Sequence, residues 1–268
     1  MTEEEEEILE KIKVDFMKSE KLQKHVKFLF LKGGMYLKYN SNLLYHACIP
    51  MEENEEFRMV KILDKHYYGK NLLDKIDCLA RENYFSNSNK KEEFGKDFFW
   101  YLWCHKDSPL FGKDKMTTFE RYFIKDKNTH LENEDPYFIL RDKEVICDKI
   151  LENFGLDPKK SHIVNGHMPV IVREGESPIK GNGKLLVIDG GLSKAYQKKT
   201  GIAGYTLIYN SYGLLLTTHG TFISKQDAVE LEHDILSISE VVKKGDRKYV
   251  KDTDAGVELM NEISELKL

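Results

Sequence analysis

Four short apolar runs crowd the second half of this chain: SHIVNGH (161–167), KLLVIDGG (184–191), AGYTLIYN (203–210) and GLLLTTHG (213–220). Each is apolar or alternating over a few residues and is closed by Gly, Asn or a hydroxyl residue, the pattern of a strand and not of a helix. A strand cannot satisfy its own backbone N–H and C=O groups, so these runs must pair with one another and bury a face. Asn210-Ser211-Tyr212-Gly213 falls where two of them need a hairpin turn.

Ahead of residue 160 the pattern is mostly helical. Thr2 followed by Glu3–Glu7 is a capped helix start with carboxylates at the positive end of the dipole. Ile8, Ile12 and Phe16 repeat every fourth residue, so one face of this helix is expected to bury. SEKLQKHVKFLFLK (19–32) forms a second helix that stops at Gly33-Gly34. MYLKY (35–39) and LLYHACIP (43–50), joined through Asn40-Ser41-Asn42, predict a hairpin, and FRMVKIL (57–63) predicts a strand. LLDKIDCLAREN (72–83) and EEFGKDFFWYLW (92–103) are predicted helices, with Trp100, Tyr101 and Trp103 as core and cleft wall. Residues 103–122 suggest a structured loop, and YFILRDKEVICDKILENFG (137–155) a single helix stopped by Gly155 and Pro158. SKQDAVELEHDIL (224–236) and TDAGVELMNEISEL (253–266) close the chain as helices. The fold class is α/β, more specifically α+β. It divides into a helical lead-in (1–35), a hairpin plus helical region (36–160), and a second-sheet half with terminal helices (161–268).

With 41 Lys and Arg interspersed among 45 Asp and Glu, the net charge is −4, so no basic stripe offers a nucleic-acid footprint. A small phosphorylated ligand needs only a few local cations. Cys48, Cys78, Cys104 and Cys147 are scattered without a CxxC pair, which suits a reducing compartment. No apolar run nears the ~20 residues that span a bilayer. The acidic start, MTEEEEEILEK, is unlike a targeting peptide. These features point to the cytoplasm and to no membrane partner.

Three strand ends carry groups suited to chemistry. SHIVNGHMPV delivers Asn165, Gly166 and His167 at the end of an apolar run, where glycine lets another group approach and the imidazole can face a cleft. LLYHACIP sets His46 at a second run's end, before Pro50. KLLVIDGG runs into Asp189-Gly190-Gly191, a turn able to wrap a phosphate or a metal-bound oxygen. Each has an ordinary structural reading as well: a buried histidine bonded to a carbonyl, or a tight turn. Asp64-Lys65-His66 reads as a charged turn before Tyr67-Tyr68-Gly69, and His130, Glu132, Glu134 and Asp135 as a polar loop without an apolar frame. No Walker loop, G-x-S-x-G elbow or dinucleotide fingerprint is present.

Taken together, EKLQKH (20–25), MYLKYNSNLLYHACIP (35–50), DFFWYLWCHKDSPLFGK (97–113), TTFERYFIKD (117–126), NGHMPV (165–170), NGKLLVIDGGLSKAYQ (182–197) and TGIAGYTLIYNSYG (200–213) resemble class III fructose-1,6-bisphosphatases. These form a branch of the calcineurin-like metallophosphoesterases. The resemblance implies part of a β-sandwich flanked by helices. It also implies two-metal hydrolysis of the 1-phosphate of fructose 1,6-bisphosphate, a gluconeogenic step, with Mn²⁺ preferred and Fe²⁺ or Zn²⁺ as alternatives. His46 and His167 match the family's last two metal ligands. With Asp64-Lys65-His66 set aside as a turn, the D-x-H, G-D-x-x-D and G-N-H-E motifs have no counterpart, so the resemblance implies a carboxy-terminal part with little or no activity alone. A split gene with a separate amino-terminal half as partner, a fragment of a longer chain, and a start placed too late are the open readings. No catalytic residue is assigned within the chain. Asp107–Lys113 and Asp189-Gly190-Gly191 are expected to border the metal cleft, with Lys180, Lys194 and Arg121 as phosphate-binding candidates beside Asp189 and Gly190. Two other readings stay open: a metallophosphoesterase for another phosphoester, and a non-catalytic interaction or regulatory module derived from the family.

Overall fold

The computed structural model describes residues 1–86, 89–221, 224–232 and 236–267. Helices α1 (Glu3–Lys18) and α2 (Glu20–Lys32) come first, and α1 opens on a reciprocal cap in which Thr2 Oγ1 accepts from Glu5 N and the Glu5 carboxylate accepts from Thr2 N. The expected burial of Ile8, Ile12 and Phe16 does not occur, since all three are exposed and neither helix holds a buried residue. Four-residue spacing marks a face that could bury, but a receiving surface must also exist.

Strands β1 (Tyr36–Tyr39) and β2 (Asn42–Tyr45) form the predicted hairpin, with left-handed backbone at Asn40 (φ 50°) and Ser41 (φ 63°). Two such residues in succession match the twist of the flanking strands. A second hairpin, β3 (Val60–Ile62) and β4 (Lys65–Tyr67), corrects the reading of Asp64-Lys65-His66. Only Asp64 lies in the turn, and His66 is extended opposite Lys61. Helices α3 (Gly69–Tyr84) and α4 (Asn89–Cys104) follow, packing Leu72, Ile76 and Leu79 against Phe98, Leu102, Val60 and Ile62. Of Trp100, Tyr101 and Trp103, expected as core and cleft wall, Tyr101 packs on this cluster and Trp103 lines a cleft, but both tryptophans are exposed, because Phe98 and Leu102 take the inward face of α4.

Within the predicted loop lies a short helix, α5 (Thr118–Phe123). The polar stretch after it is held by polar contacts. Glu132 accepts from Lys113 and Thr117, donors that overcome the desolvation of its carboxyl and hold its pKa at about 2. The single helix predicted over 137–155 is instead α6 (Tyr137–Leu140) and α7 (Glu144–Asn153). Lys143 between them is extended, and the Arg141 carbonyl receives the Cys147 thiol.

The remaining elements are β5 (His162–Asn165), β6 (Ile179–Lys180), β7 (Leu185–Val187), α8 (Lys194–Thr200), β8 (Gly204–Asn210), β9 (Gly213–His219), α9 (Lys225–Glu230), β10 (Ser237–Lys244) and α10 (Asp254–Glu265). The helix expected over 224–236 is observed as α9, and residues 233–235 lie outside the described residues. Strand β10, unexpected from its exposed and mostly polar sequence, is recruited by pairing with β9.

Among the described residues the strands form a five-stranded sheet in the order β1-β2-β5-β7-β6, an antiparallel three-stranded sheet β10-β9-β8, and the β3–β4 ribbon. The boundary drawn at residue 160 therefore runs through one sheet, since β5 pairs with β2. Leu43, Ile163 and Leu185 of the larger sheet, Ile146, Ile150 and Leu151 of α7, and Tyr205 and Leu216 of the smaller sheet share one apolar core.

Burial inside β5 gives His162 a measurable acid response. Desolvation, reinforced by Lys243, Lys184 and Lys248, lowers its pKa to about 4, against an ordinary value near 6.5. Between these two values the unfolded chain takes up a proton that the native chain refuses, so stability falls as pH drops through the window. The loss is at most about 3 kcal/mol by pH 4. Denaturation midpoints at pH 7 and 4.5 should differ less in His162→Gln than in the parent chain. An unchanged difference would exclude His162 as the source.

Candidate metal centre

Strands β2, β5 and β7 are consecutive in the sheet and parallel, so their carboxy ends lie along one edge. The register pairs Leu44 with Val164 and Val164 with Leu186. Carried past the strand ends, that alignment brings His46, Gly166-His167 and Ile188-Asp189 to neighbouring positions. The outside of parallel strands' carboxy ends is where open α/β sheets bind ligands. Three of the residues picked from sequence therefore converge because β2 and β7 flank β5.

The two imidazoles touch. His167 Nδ1 lies 3.0 Å from His46 Nε2, with ring centroids 4.8 Å apart and the planes close to perpendicular. The backbone enforces this approach. Gly166 N donates to the His46 carbonyl, and Met168 N donates back to the Gly166 carbonyl, closing a three-residue turn around His167. His167 is thereby held at φ 71°, a left-handed conformation that costs a residue with a Cβ roughly 1–3 kcal/mol.

His167 Nε2 lies 2.9 Å from the Phe111 carbonyl oxygen. A carbonyl only accepts, so Nε2 carries the proton and the Nδ1 lone pair faces His46. Desolvation lowers the pKa of both rings. His46 adds to the effect on His167, while the Asp189 carboxylate works against it at both. Both rings are therefore neutral at pH 7, as metal ligation requires.

The separation suits one shared cation. Nitrogen donors about 2.1 Å from a metal and at right angles to each other are about 3 Å apart. Anchoring the non-ligating N–H on a backbone carbonyl is the usual way such a ring is aimed. Two donors are not a complete set, and among the described residues no group of three or more His, Cys, Asp or Glu is arranged to hold a metal. His46 and His167 fit half of a centre.

The other predicted residues divide. The 107–113 loop does border the site: Phe111 bonds His167, and Leu110 lines two apolar clefts that share His46. The first, of about 550 Å³, is walled by Leu29, Phe30, Phe99 and Trp103, and the second, of about 560 Å³, by Leu44, Val164 and Ile188. Asp189 Oδ1 accepts from Gly191 N, and Gly190 packs so closely on Gly204 that a Cβ would meet its Cα at 2.6 Å. Lys194 is exposed at the start of α8, shortly after this turn. The other two cations lie on other elements. Lys180 pairs with Asp142 and Glu176, and Arg121 donates to Thr117 and the His130 carbonyl. The sequence reading names Asn165 beside His167 and sets Phe111 in the bordering loop, but it gives neither the Phe111 carbonyl nor the buried Asn165 side chain a role. A main-chain acceptor leaves no residue signature, and Asn165 looks like any strand-end polar residue.

An α+β protein with a two-histidine site at the ends of parallel strands is the class that fold and site define. Over residues 1–268 the chain matches the family model described as Firmicute fructose-1,6-bisphosphatase, and it belongs to that family. It is 57% identical over 269 residues to the protein named fructose-1,6-bisphosphatase class 3 1 of Clostridium beijerinckii. It is 56% identical over 269 residues to the class 3 fructose-1,6-bisphosphatase of Fusobacterium nucleatum, and 57% identical over 272 residues to that of Alkaliphilus metalliredigens. Each comparison covers 100% of this chain but only 41–42% of the relative, so the chain spans about two fifths of the proteins it resembles. No solved structure matches it.

Proposed function

We propose that this chain is the carboxy-terminal part of a class 3 fructose-1,6-bisphosphatase, a calcineurin-like metallophosphoesterase that hydrolyses the 1-phosphate of fructose 1,6-bisphosphate. The observation that carries the reading is the 3.0 Å approach of His167 Nδ1 to His46 Nε2 at the carboxy edge of parallel strands. When bound, a divalent metal pair supplies Lewis acidity at the phosphoryl oxygens and a water acidic enough to ionise near neutral pH. Manganese is the metal of choice, with iron or zinc compatible with mixed imidazole and carboxylate ligation.

The chain's own residues do the rest. His46 and His167 hold one ion of the pair through neutral nitrogens. Phe111 keeps the His167 proton on the far side of the ring, and the apolar walls beside His46 limit water. Asp189, Gly190 and Lys194 border the substrate side. Neutral imidazoles offset none of the metal's charge, so carboxylates must come from the D-x-H, G-D-x-x-D and G-N-H-E motifs, which belong to an amino-terminal half. The setting is cytoplasmic, in keeping with the lack, among the described residues, of any helix long and apolar enough to cross a membrane.

The test is reconstitution. The chain alone, assayed with Mn²⁺ and fructose 1,6-bisphosphate, should release no phosphate above background. Adding the separately produced remainder of the Clostridium beijerinckii relative should restore release, with this sugar bisphosphate preferred over a dinucleoside polyphosphate and a phosphopeptide. Full turnover by the chain alone would overturn the reading, and preference for another phosphoester would reassign the substrate.

A further inference from the structure

Behind the two histidines lies a buried polar network that metal ligation does not itself require. Asn165, the last residue of β5, is 2% exposed. Its Nδ2 donates to the Ala47 carbonyl (3.0 Å) and to the Tyr137 hydroxyl (2.8 Å). The Tyr137 hydroxyl lies 2.7 Å from that of Tyr45, and both rings are buried. Because the Ala47 carbonyl can only accept, the amide nitrogen must face it, which fixes the orientation of the Asn165 side chain.

The positions of these residues give the network its meaning. Tyr45 and Ala47 flank His46 on both sides, and Asn165 stands two residues before His167. The network therefore ties the chain on each side of one imidazole to the strand that carries the other. Tyr137, from α6, is its fixed point, since the Asp135 carboxylate accepts from Tyr137 N. Stability alone does not account for an asparagine here. Among the described residues its Oδ1 is buried with no hydrogen-bond partner, a cost that an apolar side chain of similar size would avoid.

We propose that Asn165 is a positioning residue. Its amide, wedged between the Ala47 carbonyl and the Tyr137 hydroxyl, holds two strand ends at the spacing that lets His46 and His167 share one cation. Asn165 touches neither substrate nor metal and acts only through the two rings. The proposal rests on the metal-centre reading, but the ring geometry it predicts is present in the chain without metal.

The test has two arms. In the first, the full chain is labelled with ¹⁵N-histidine and the ring resonances of His46 and His167 are recorded without metal. Asn165→Ala should broaden or shift both and lose the single Nε2-protonated form of His167. Ile150→Val, a change in α7 within the same apolar core that removes none of the network's hydrogen bonds, should leave them in place. In the second arm, Mn²⁺ affinity is measured by electron paramagnetic resonance on the chain reassembled with the amino-terminal part of a relative. Asn165→Ala should weaken it at least tenfold, with kcat reduced and KM for the sugar bisphosphate within about twofold of the parent. This is the range seen when an outer partner of a metal ligand is removed. Tyr137→Phe keeps the ring and drops one link, so it should fall between parent and Asn165→Ala and serves if Asn165→Ala fails to fold. Unchanged His46 and His167 resonances in both variants, or an equal disturbance by Ile150→Val, would overturn the proposal. A parent chain that binds no Mn²⁺ would overturn the metal reading alone, and the ring resonances would still decide the clamp.

Discussion

Alanine at either His46 or His167 in the reassembled enzyme is expected to lower metal-dependent phosphate release by about a thousandfold. The double substitution is expected to lower it little further. Outer partners of metal ligands are worth 10–100-fold, and a ligand itself should exceed that range. Donors to one ion also act as a unit: once either is gone the ion is misplaced or lost, so the second removal has little left to take away. Multiplying losses would instead mean that the two rings serve separate tasks. Each single variant should fold. His46 is exposed at the cleft mouth, and neither ring belongs to the apolar core. Circular dichroism and gel filtration provide the control. Activity retained within about tenfold by both single variants would rule out a shared cation and leave the 3.0 Å contact as an ordinary histidine pair.

That pair shows where sequence reading succeeds and where it stops. The strand runs ending at His46 and His167 are visible as apolar stretches closed by Pro, Gly or Asn, and a histidine at such an end is a visible candidate. What no local pattern contains is the pairing of β2 with β5 across more than a hundred residues. Two unremarkable strand ends become one site only through that parallel register. The Asn40-Ser41 turn was legible because left-handed backbone narrows the choice of residues there. The break between α6 and α7 was not, since nothing in Arg141-Asp142-Lys143 opposes helix locally and the interruption is set by packing and by the Cys147 contact. Strand β10 was hidden for the opposite reason. Its Ser, Glu and Lys residues face solvent, and it is a strand only because β9 offers an edge. Lys180 and Arg121 illustrate a further limit: a sequence does not show which carboxylates or carbonyls a given cation bonds.

Asp135, set down in the sequence reading as part of a polar loop, should prove among the most damaging positions to change. Its side chain is 1% exposed, and it accepts from Arg58 Nη1 at 2.7 Å, from Met51 N at 3.1 Å and from Tyr137 N at 2.9 Å. Arg58 is itself bound to Glu52 and to the Met51 carbonyl, so this one carboxylate joins the segment after His46 to the start of α6. Asp135→Ala leaves a largely buried guanidinium without its closest counter-charge and two buried N–H groups without acceptors. Breaking such a pair by removing one partner costs about 3–5 kcal/mol, and urea denaturation of the metal-free chain should show a loss of that size. Asp135→Asn keeps an acceptor oxygen and the shape, so it should cost clearly less. Arg58→Met with Asp135→Leu removes both charges and should cost less than the sum of the two single changes. The effect should reach the site as well, because Tyr137 hangs from Asp135 by its backbone and holds Asn165 by its hydroxyl. Asp135→Asn, if it folds at all close to the parent, should therefore weaken Mn²⁺ binding less than Asn165→Ala does. A loss below about 1 kcal/mol in Asp135→Ala would mean that solvent screens the pair and that the segment after His46 is held by its apolar residues Ile49 and Met51 instead.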